Sequence, residues 1–266
     1  MLVAVVLALE PVGSCLLPAS HGALAYAGAL DLLRRVSPAL ASDLHDRPGL
    51  KPLTVGPVVG PVARAEGHSL RLSQSEVYRW RLTGLTRSVS EALLRLSPSL
   101  GGVRLGDAVF TVVGAAARPG AEPEAGRADY EKLLGRWGGQ AAPQSVTLQF
   151  VTPTTFRAGR GEQPFPLPGL VWGSLLRRWN TCSETPLEGA PELLEVGVVL
   201  GNWRGETRRV ELGRSRTVGF VGKFTYRVTA GGPDTCRVLS VLADFAFYAG
   251  VGWQTAQGMG QTRRIG

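Results

Sequence analysis

Phe245-Ala-Phe-Tyr-Ala-Gly-Val-Gly-Trp-Gln-Thr-Ala-Gln-Gly-Met-Gly260, followed by Gln261-Thr-Arg-Arg264, lies near the end of a 266-residue chain, and its reading decides how the rest is taken. An apolar helical run enters a glycine-rich turn, and a short basic strand leaves it. Such a turn is expected to present backbone N–H groups, with Arg263 and Arg264 close by, to an anion. Gly250-Val-Gly252-Trp-Gln-Thr255 does not make a dinucleotide-binding fingerprint. That motif follows a strand and opens a helix, whereas this stretch follows a helix and lacks the third glycine in its required place. Four glycines in the eleven residues Gly250–Gly260 exceed what one helix cap requires. The turn is therefore read as a phosphate-contacting element, with Gly250, Gly252, Gln254, Thr255, Gly258 and Gly260 as its candidate contacts.

Outward from that stretch, residues 236–248 read as the helix that enters the turn and residues 258–265 as the strand that closes a sheet. Before them, residues 145–151 alternate as a strand and 169–179 read as a helix. Residues 194–201 followed by 206–212 read as a hairpin, and 217–229 as a further strand. The first half repeats this order. Residues 2–9 form a short Val-rich strand buried on both faces, and Ser20 stands as N-cap before a helix over 21–36 that Ser37-Pro38 ends. Strands over 53–59 and 75–82, a helix over 88–96 and a strand over 103–113 complete the set. Strand, helix, strand, strand, helix, strand is the order of a ferredoxin-like unit, which packs two helices on one face of an antiparallel sheet. The expected class is α+β, with two tandem ferredoxin-like (RRM-like) domains at 1–120 and 140–266. Residues 115–128 are rich in Ala, Gly, Pro and Glu and read as a linker, and 129–137 as a short helix.

Composition narrows the partner. A formal charge of +8 and an isoelectric point near 10.0 favour a polyanion, either nucleic acid or an acidic membrane face. Arginine carries nearly all of the positive charge, with lysine only at Lys51, Lys132 and Lys223. The enrichment in Ala, Gly, Arg and Pro beside a single isoleucine, Ile265, also fits codon bias. Cys15, Cys182 and Cys236 are widely spaced and make no CxxC pair, so neither a disulfide framework nor a zinc site is expected, and a reducing cytoplasm fits. Val12-Gly13-Ser14-Cys15 faintly resembles a lipoprotein cleavage site. However, no Lys or Arg precedes the apolar residues 1–9, and Glu10-Pro11 interrupts them, so a buried first strand is the preferred reading. No other stretch approaches the roughly 18 apolar residues of a membrane span.

Residues 41–52 read as a polar, turn-rich loop holding His45, and loops on a rigid scaffold are where chemistry concentrates. A histidine between Asp43 and Asp46 is more often a solvated surface group than a catalyst. Two-metal hydrolysis needs carboxylates converging from several elements, and no second acidic cluster stands elsewhere in the sequence. His21 falls in the first turn of the first helix, and His68 reads as an exposed loop residue.

The glycine-rich end, taken with Phe150-Val-Thr-Pro-Thr-Thr-Phe156-Arg157, Pro164-Phe-Pro-Leu-Pro168, Ser174-Leu-Leu-Arg-Arg-Trp179, Gly219-Phe-Val-Gly222 and Leu44-His45-Asp46, resembles the RAMP superfamily of CRISPR-associated proteins. In particular it resembles the endoribonucleases that cut CRISPR repeat transcripts, the Cas-six family. The resemblance spans essentially the whole chain. It implies two tandem ferredoxin-like domains with RNA running along the cleft between them. It also implies a metal-independent cut without cofactor, giving a 2′,3′-cyclic phosphate and a 5′-hydroxyl. Under it His45 matches the usual catalytic histidine. Lys51, six residues later, resembles the histidine-to-lysine spacing of members that use a Tyr, His, Lys triad. Tyr26 is the candidate tyrosine, although its spacing does not match, and His21 is the rival for proton transfer.

The basic candidates for RNA contact are Arg157 and Arg160 beside the Pro-rich loop, then Arg204, Arg208, Arg209, Arg214 and Arg216 in and after the hairpin, and finally Arg263 with Arg264. Repeat RNA is the expected partner. A CRISPR effector complex and a homodimer are further partners that the resemblance admits, and no membrane is expected. The competing reading is a noncatalytic RNA-binding subunit of an effector complex built on the same fold.

Overall fold

The computed structural model describes residues 1–64, 68–159, 161–190, 194, 197–212 and 215–266. They divide into two compact units, one of Met1–Arg127 with Ala256–Gly258 and one of Ala128–Thr255 with Met259–Gly266.

In chain order the first unit holds β1 (Leu2–Pro11), β2 (Cys15–Pro18), α1 (Gly22–Val36), α2 (Pro38–Asp46), β3 (Leu53–Val59), β4 (Ala63–Arg64), β5 (Ser69–Leu72), β6 (Tyr78–Gly84), α3 (Arg87–Leu94), β7 (Gly102–Leu105) and β8 (Ala108–Ala116), with β9 (Gly126–Ala128) at its boundary. The uncharged run Leu2–Leu9 is buried along nearly its whole length, which demands cover on both faces and neighbours on both edges. β1 accordingly lies inside a sheet of order β3-β6-β1-β8-β7, and β9 also pairs with it. Its pairings with β6 and β8 are antiparallel. In α1 the buried residues Ala25, Ala29, Leu32 and Leu33 recur at helical spacing and turn one stripe to the core. Trp80, Phe110 and Tyr78 are fully buried, and each such side chain contributes about 1.5–3 kcal/mol of burial. β2, β5 and β4 form a small separate sheet.

The second unit holds α4 (Tyr130–Arg136), β10 (Ser145–Thr154), β11 (Phe156–Ala158), β12 (Gly161–Gln163), α5 (Pro168–Cys182), β13 (Val198–Leu212), β14 (Ser215–Val228), α6 (Gly232–Ala249) and β15 (Thr262–Arg264). Its sheet order is β13-β14-β10-β15. Aromatic rings fill its core: Trp172 meets Tyr226 edge-on at 5.1 Å between centroids, and Trp179 meets Phe245 at 5.2 Å. Both units therefore have the ferredoxin-like order and strand arrangement. Among the described residues no helix is long and apolar enough to cross a membrane.

Several local expectations are corrected. Residues 38–46 form α2 rather than a loop, because Pro38 opens a helix well and Ala41 and Leu44 are buried one turn apart. His21, not Ser20, occupies the N-cap position of α1. The strand expected over 103–113 is a hairpin, β7 and β8, which turns at Gly106 with φ of +65°. Part of the expected linker is strand, in the end of β8 and in β9. The hairpin expected within 194–212 is instead one long strand, β13, whose partner is β14. Gly205 reads as a turn but lies opposite Gly222, where an added Cβ would come within 2.4 Å of the Val221 carbonyl oxygen. There the glycine permits close approach inside a ladder rather than a reversal of the chain.

Candidate functional site

The end of α2 gathers three of the residues singled out by sequence. Leu44 is buried and anchors the helix, and His45, the next residue round, is exposed. Among the described residues the His45 ring makes no hydrogen bond, so both its nitrogens are free to meet a ligand. The Tyr26 hydroxyl reaches across from α1 and donates to the Leu44 carbonyl at 2.9 Å. Lys51 donates to the carbonyls of Leu44 at 2.6 Å, His45 at 3.1 Å and Arg47. Its ammonium thus caps carbonyls that a helix end leaves unsatisfied, where the macrodipole is negative. Burial lowers the Lys51 pKa and the Arg47 charge adds to this, while Asp46 and Asp43 oppose it. Burial raises the pKa of the Tyr26 phenol, which therefore stays protonated at neutral pH. Arg47 pairs with Asp43 at 3.0 Å.

His21 is placed differently. It is only 2% exposed. Its Nδ1 bonds the Pro18 carbonyl at 2.8 Å, and its Nε2 accepts the Val58 N–H at 2.8 Å. Nδ1 must then carry the proton. Burial lowers its pKa, outweighing the bond to Pro18, and no ring nitrogen is left for a substrate. His68 is exposed beside β5. Among the described residues no group of three or more His, Cys, Asp or Glu side chains is arranged to hold a metal ion.

The glycine-rich turn follows α6, but the N–H groups of its glycines are turned inward. Gly250 N–H bonds Ala246, Val251 N–H bonds Gly260, Trp253 N–H bonds Thr155, Gly258 N–H bonds Val55 and Gly260 N–H bonds Pro153, all at 2.8–3.0 Å. Gly252 N–H donates to Ser174 Oγ at 2.9 Å, and the Gly252 carbonyl accepts Arg178 Nη2 at 2.9 Å. The expectation of a turn offering these N–H groups to an anion is therefore corrected. Close approach explains the glycines better: with φ of +84°, a Cβ on Gly252 would lie 2.4 Å from the Thr155 oxygen. Thr255 is buried, and Gln254 holds a positive φ of 57°.

Arg178 is 7% exposed. Burial lowers its pKa to about 10, and its Nη1 has no acceptor among the described residues. Sequence reasoning missed it because it reads as one more arginine on an amphipathic helix.

The arginines sort by partner. Arg264 is bound to Asp244 at 3.3 Å and lies 4.7 Å over the Trp137 ring, and Asp244 also takes Arg136 at 3.3 Å and Trp137 Nε1 at 2.9 Å. Arg208 pairs with Glu206 at 2.8 Å and Arg216 with Glu211 at 3.6 Å. Arg204 and Arg209 are exposed on β13. Arg157 is exposed, with its guanidinium carbon 4.3 Å from the centroid of the Trp253 ring. Arg160 and Arg214 lie outside the described residues. One grouping was hidden from sequence. Arg263, Gln149, Lys223 and Arg204 stand opposite one another across β15, β10, β14 and β13, so the pleat puts them on one face. Arg263 Nε donates to Gln149 Oε1 at 3.0 Å.

A family model described as CRISPR-associated endoribonuclease Cas6 matches residues 148–262. The chain is 28% identical over 133 residues to a CRISPR-associated endoribonuclease Cas6 of Streptococcus thermophilus, covering 49% of this chain and 54% of that protein. It is 32% identical over 120 residues to one of Mycobacterium tuberculosis, covering 44% and 37%. The matched part thus spans about half the length, or less, of these curated relatives. Among solved structures, a Cas6 (TTHB231) product complex aligns over 100% of both chains with 31% identity and a TM-score of 0.81. Thermus thermophilus Cas6 (TTHB231) aligns over 100% of this chain and 98% of its own with 30% identity and a TM-score of 0.76. A Cas6 (TTHA0078) product complex aligns over 100% and 99% with 29% identity and a TM-score of 0.78.

Proposed function

Since the chain belongs to the Cas6 family of CRISPR-associated endoribonucleases, we propose that it cuts the repeat segments of CRISPR transcripts in the cytoplasm by metal-independent internal transesterification. The observation that carries this reading is the exposed, unbonded His45 at an α2 end that Tyr26 and Lys51 hold in place.

In this reaction a ribose 2′-hydroxyl gives up its proton, its oxygen bonds the adjacent phosphorus, and the bond from phosphorus to the 5′-oxygen breaks. The departing oxygen takes a proton, leaving a 2′,3′-cyclic phosphate and a 5′-hydroxyl. His45 serves in proton transfer, a role worth roughly 10²–10⁴-fold in rate. Lys51 places a positive charge beside the phosphorane and, with Tyr26, fixes the backbone that carries His45. His21 is left out of the chemistry, because both its ring nitrogens are in use. The stem and flanking strand of the repeat meet the exposed Arg204, Lys223 and Arg263 row and the Arg208, Arg209 and Arg216 group on the long hairpin. The glycine-rich turn contributes by fixing side chains rather than by backbone donation.

One feature favours the second reading, a noncatalytic RNA-binding subunit: all three donors of Lys51 already have carbonyl acceptors. Cleavage of repeat RNA in EDTA separates the two. Wild type should cut, His45→Ala should lose at least about a hundredfold, and a 2′-deoxy substitution at the scissile nucleotide should abolish cutting. Binding without cleavage would support the subunit reading, and undiminished cutting by His45→Ala would remove that histidine from the mechanism. Assembly into an effector complex or a homodimer is tested by mass measurement with and without RNA.

A further inference from the structure

Among the arginines singled out by sequence, Arg157 has a distinct setting. Its guanidinium carbon lies 4.3 Å from the centroid of the Trp253 ring, it is exposed, and no carboxylate pairs with it among the described residues. Its cross-strand neighbour on β12, Glu162, turns its carboxylate to the Thr217 hydroxyl instead. A guanidinium stacked on an indole keeps its second face and its edge donors available, and the stack fixes torsions that a free arginine would lose on binding.

The backbone that carries the indole is also held. Trp253 N–H bonds the Thr155 carbonyl at 2.8 Å. The preceding residue, Gly252, is fastened on both sides by α5, with its N–H on Ser174 Oγ and its carbonyl on Arg178 Nη2, each at 2.9 Å. The turn therefore fixes the backbone from which Trp253 projects, with the Arg157 guanidinium over its ring and the buried Arg178 charge bonded to the turn.

We propose that Trp253 and Arg157 form a stacking platform for one unpaired base of the RNA, the base lying on the outer face of the Arg157 guanidinium with its phosphate on the guanidinium edge. Nucleobases stack on aromatic and guanidinium planes, and single-stranded RNA can splay a base out to reach them. This deepens the nuclease reading and rests on it for the identity of the polyanion. It assigns to the glycine-rich turn the task of aiming a side chain.

The test measures binding in EDTA of a short oligoadenylate and of an abasic ribose–phosphate strand of the same length. Wild type should prefer the oligoadenylate by roughly tenfold, the increment of one stacked base. Arg157→Lys keeps the charge and the surface position but has no plane to stack. It should hold the abasic strand only slightly less well than wild type, losing the forked edge contact alone, and lose most of that preference. Trp253→Phe should keep part of it, and Trp253→Leu should lose it. An unchanged preference in Arg157→Lys, a wild type indifferent to bases, or no binding of either strand overturns the platform. Repeat cleavage measured on the same protein separates the two claims. Cutting without base preference refutes the platform alone, and an Arg157-dependent preference without any cutting refutes the nuclease alone.

Discussion

His21→Gln tests whether a buried histidine is structural or chemical. In the folded protein His21 is neutral, with Nε2 accepting from Val58 and Nδ1 bonded to Pro18, both at 2.8 Å. Its pKa is pushed below the ordinary 6.5, chiefly by burial. Glutamine can still offer Val58 an oxygen but cannot titrate, and it leaves the Pro18 carbonyl without its donor. The variant should therefore lose about 1–2 kcal/mol near pH 8. Below pH 6.5 the unfolded wild type takes up a proton that the folded state refuses. Between 6.5 and the lower folded-state value, wild-type stability should fall by up to about 1.4 kcal/mol per pH unit. The glutamine variant lacks this term, so the two stability curves should converge as the pH drops. Urea unfolding across that range, fitted at each pH, measures both curves. Parallel curves would refute the account of the His21 proton. Repeat cleavage by the folded variant should stay within about threefold of wild type, because proton transfer by a catalytic histidine is worth far more than that. A hundredfold loss would return His21 to the reaction.

Gly252→Ala forces a Cβ to within 2.4 Å of the Thr155 oxygen at a φ of +84°, and should cost about 2–4 kcal/mol in urea unfolding. Asp244→Asn removes the charge shared by Arg136, Arg264 and Trp137, and should cost about 2 kcal/mol, less than a fully buried pair because Arg136 is exposed. Lys51→Met uncaps α2 and should lower stability by about 1 kcal/mol, while lowering repeat cleavage by much more than the folded fraction explains. If cleavage instead tracks the folded fraction alone, Lys51 is a helix cap and nothing more. Gly258→Val places a β-branched residue at φ of +86°, and should weaken folding in a thermal melt by more than His45→Ala does.

The order of elements is legible because burial and period coincide: Leu2–Leu9 is apolar without a break, and α6 carries Leu239, Leu242, Ala243 and Ala246 at helical spacing. α2 is harder to see, since Ser42, Asp43, His45 and Asp46 are polar and exposed and only Ala41 and Leu44 anchor it. Strand register is not written in composition. Gly205 looks like a turn residue until it is found opposite Gly222, and Lys223 joins Arg204 and Arg263 only through pairing. His45 and Lys51 come from family resemblance, because a solvated histidine between aspartates carries no chemical signature of its own. Tyr26 reaches the same helix end through a side chain from α1, a contact that no linear spacing encodes. The glycine-rich turn shows the reverse limit: its composition suggests free N–H groups, and the fold bonds those of all four glycines internally.

Ala256–Gly258 belongs with the first unit although the whole span 128–255 intervenes. Gly258 N–H bonds Val55, and Gln257 sits so close to Gly22 that a Cβ there would strike its carbonyl. During synthesis at about 5–20 residues per second, the ribosome releases Arg127 on the order of ten seconds before it releases Gly258. For that interval the first unit lacks the last contact beside the start of α1. A chain cut short before residue 258 would stay in that state, so early termination or a downstream nonsense mutation should harm the N-terminal half as well as the part that is missing.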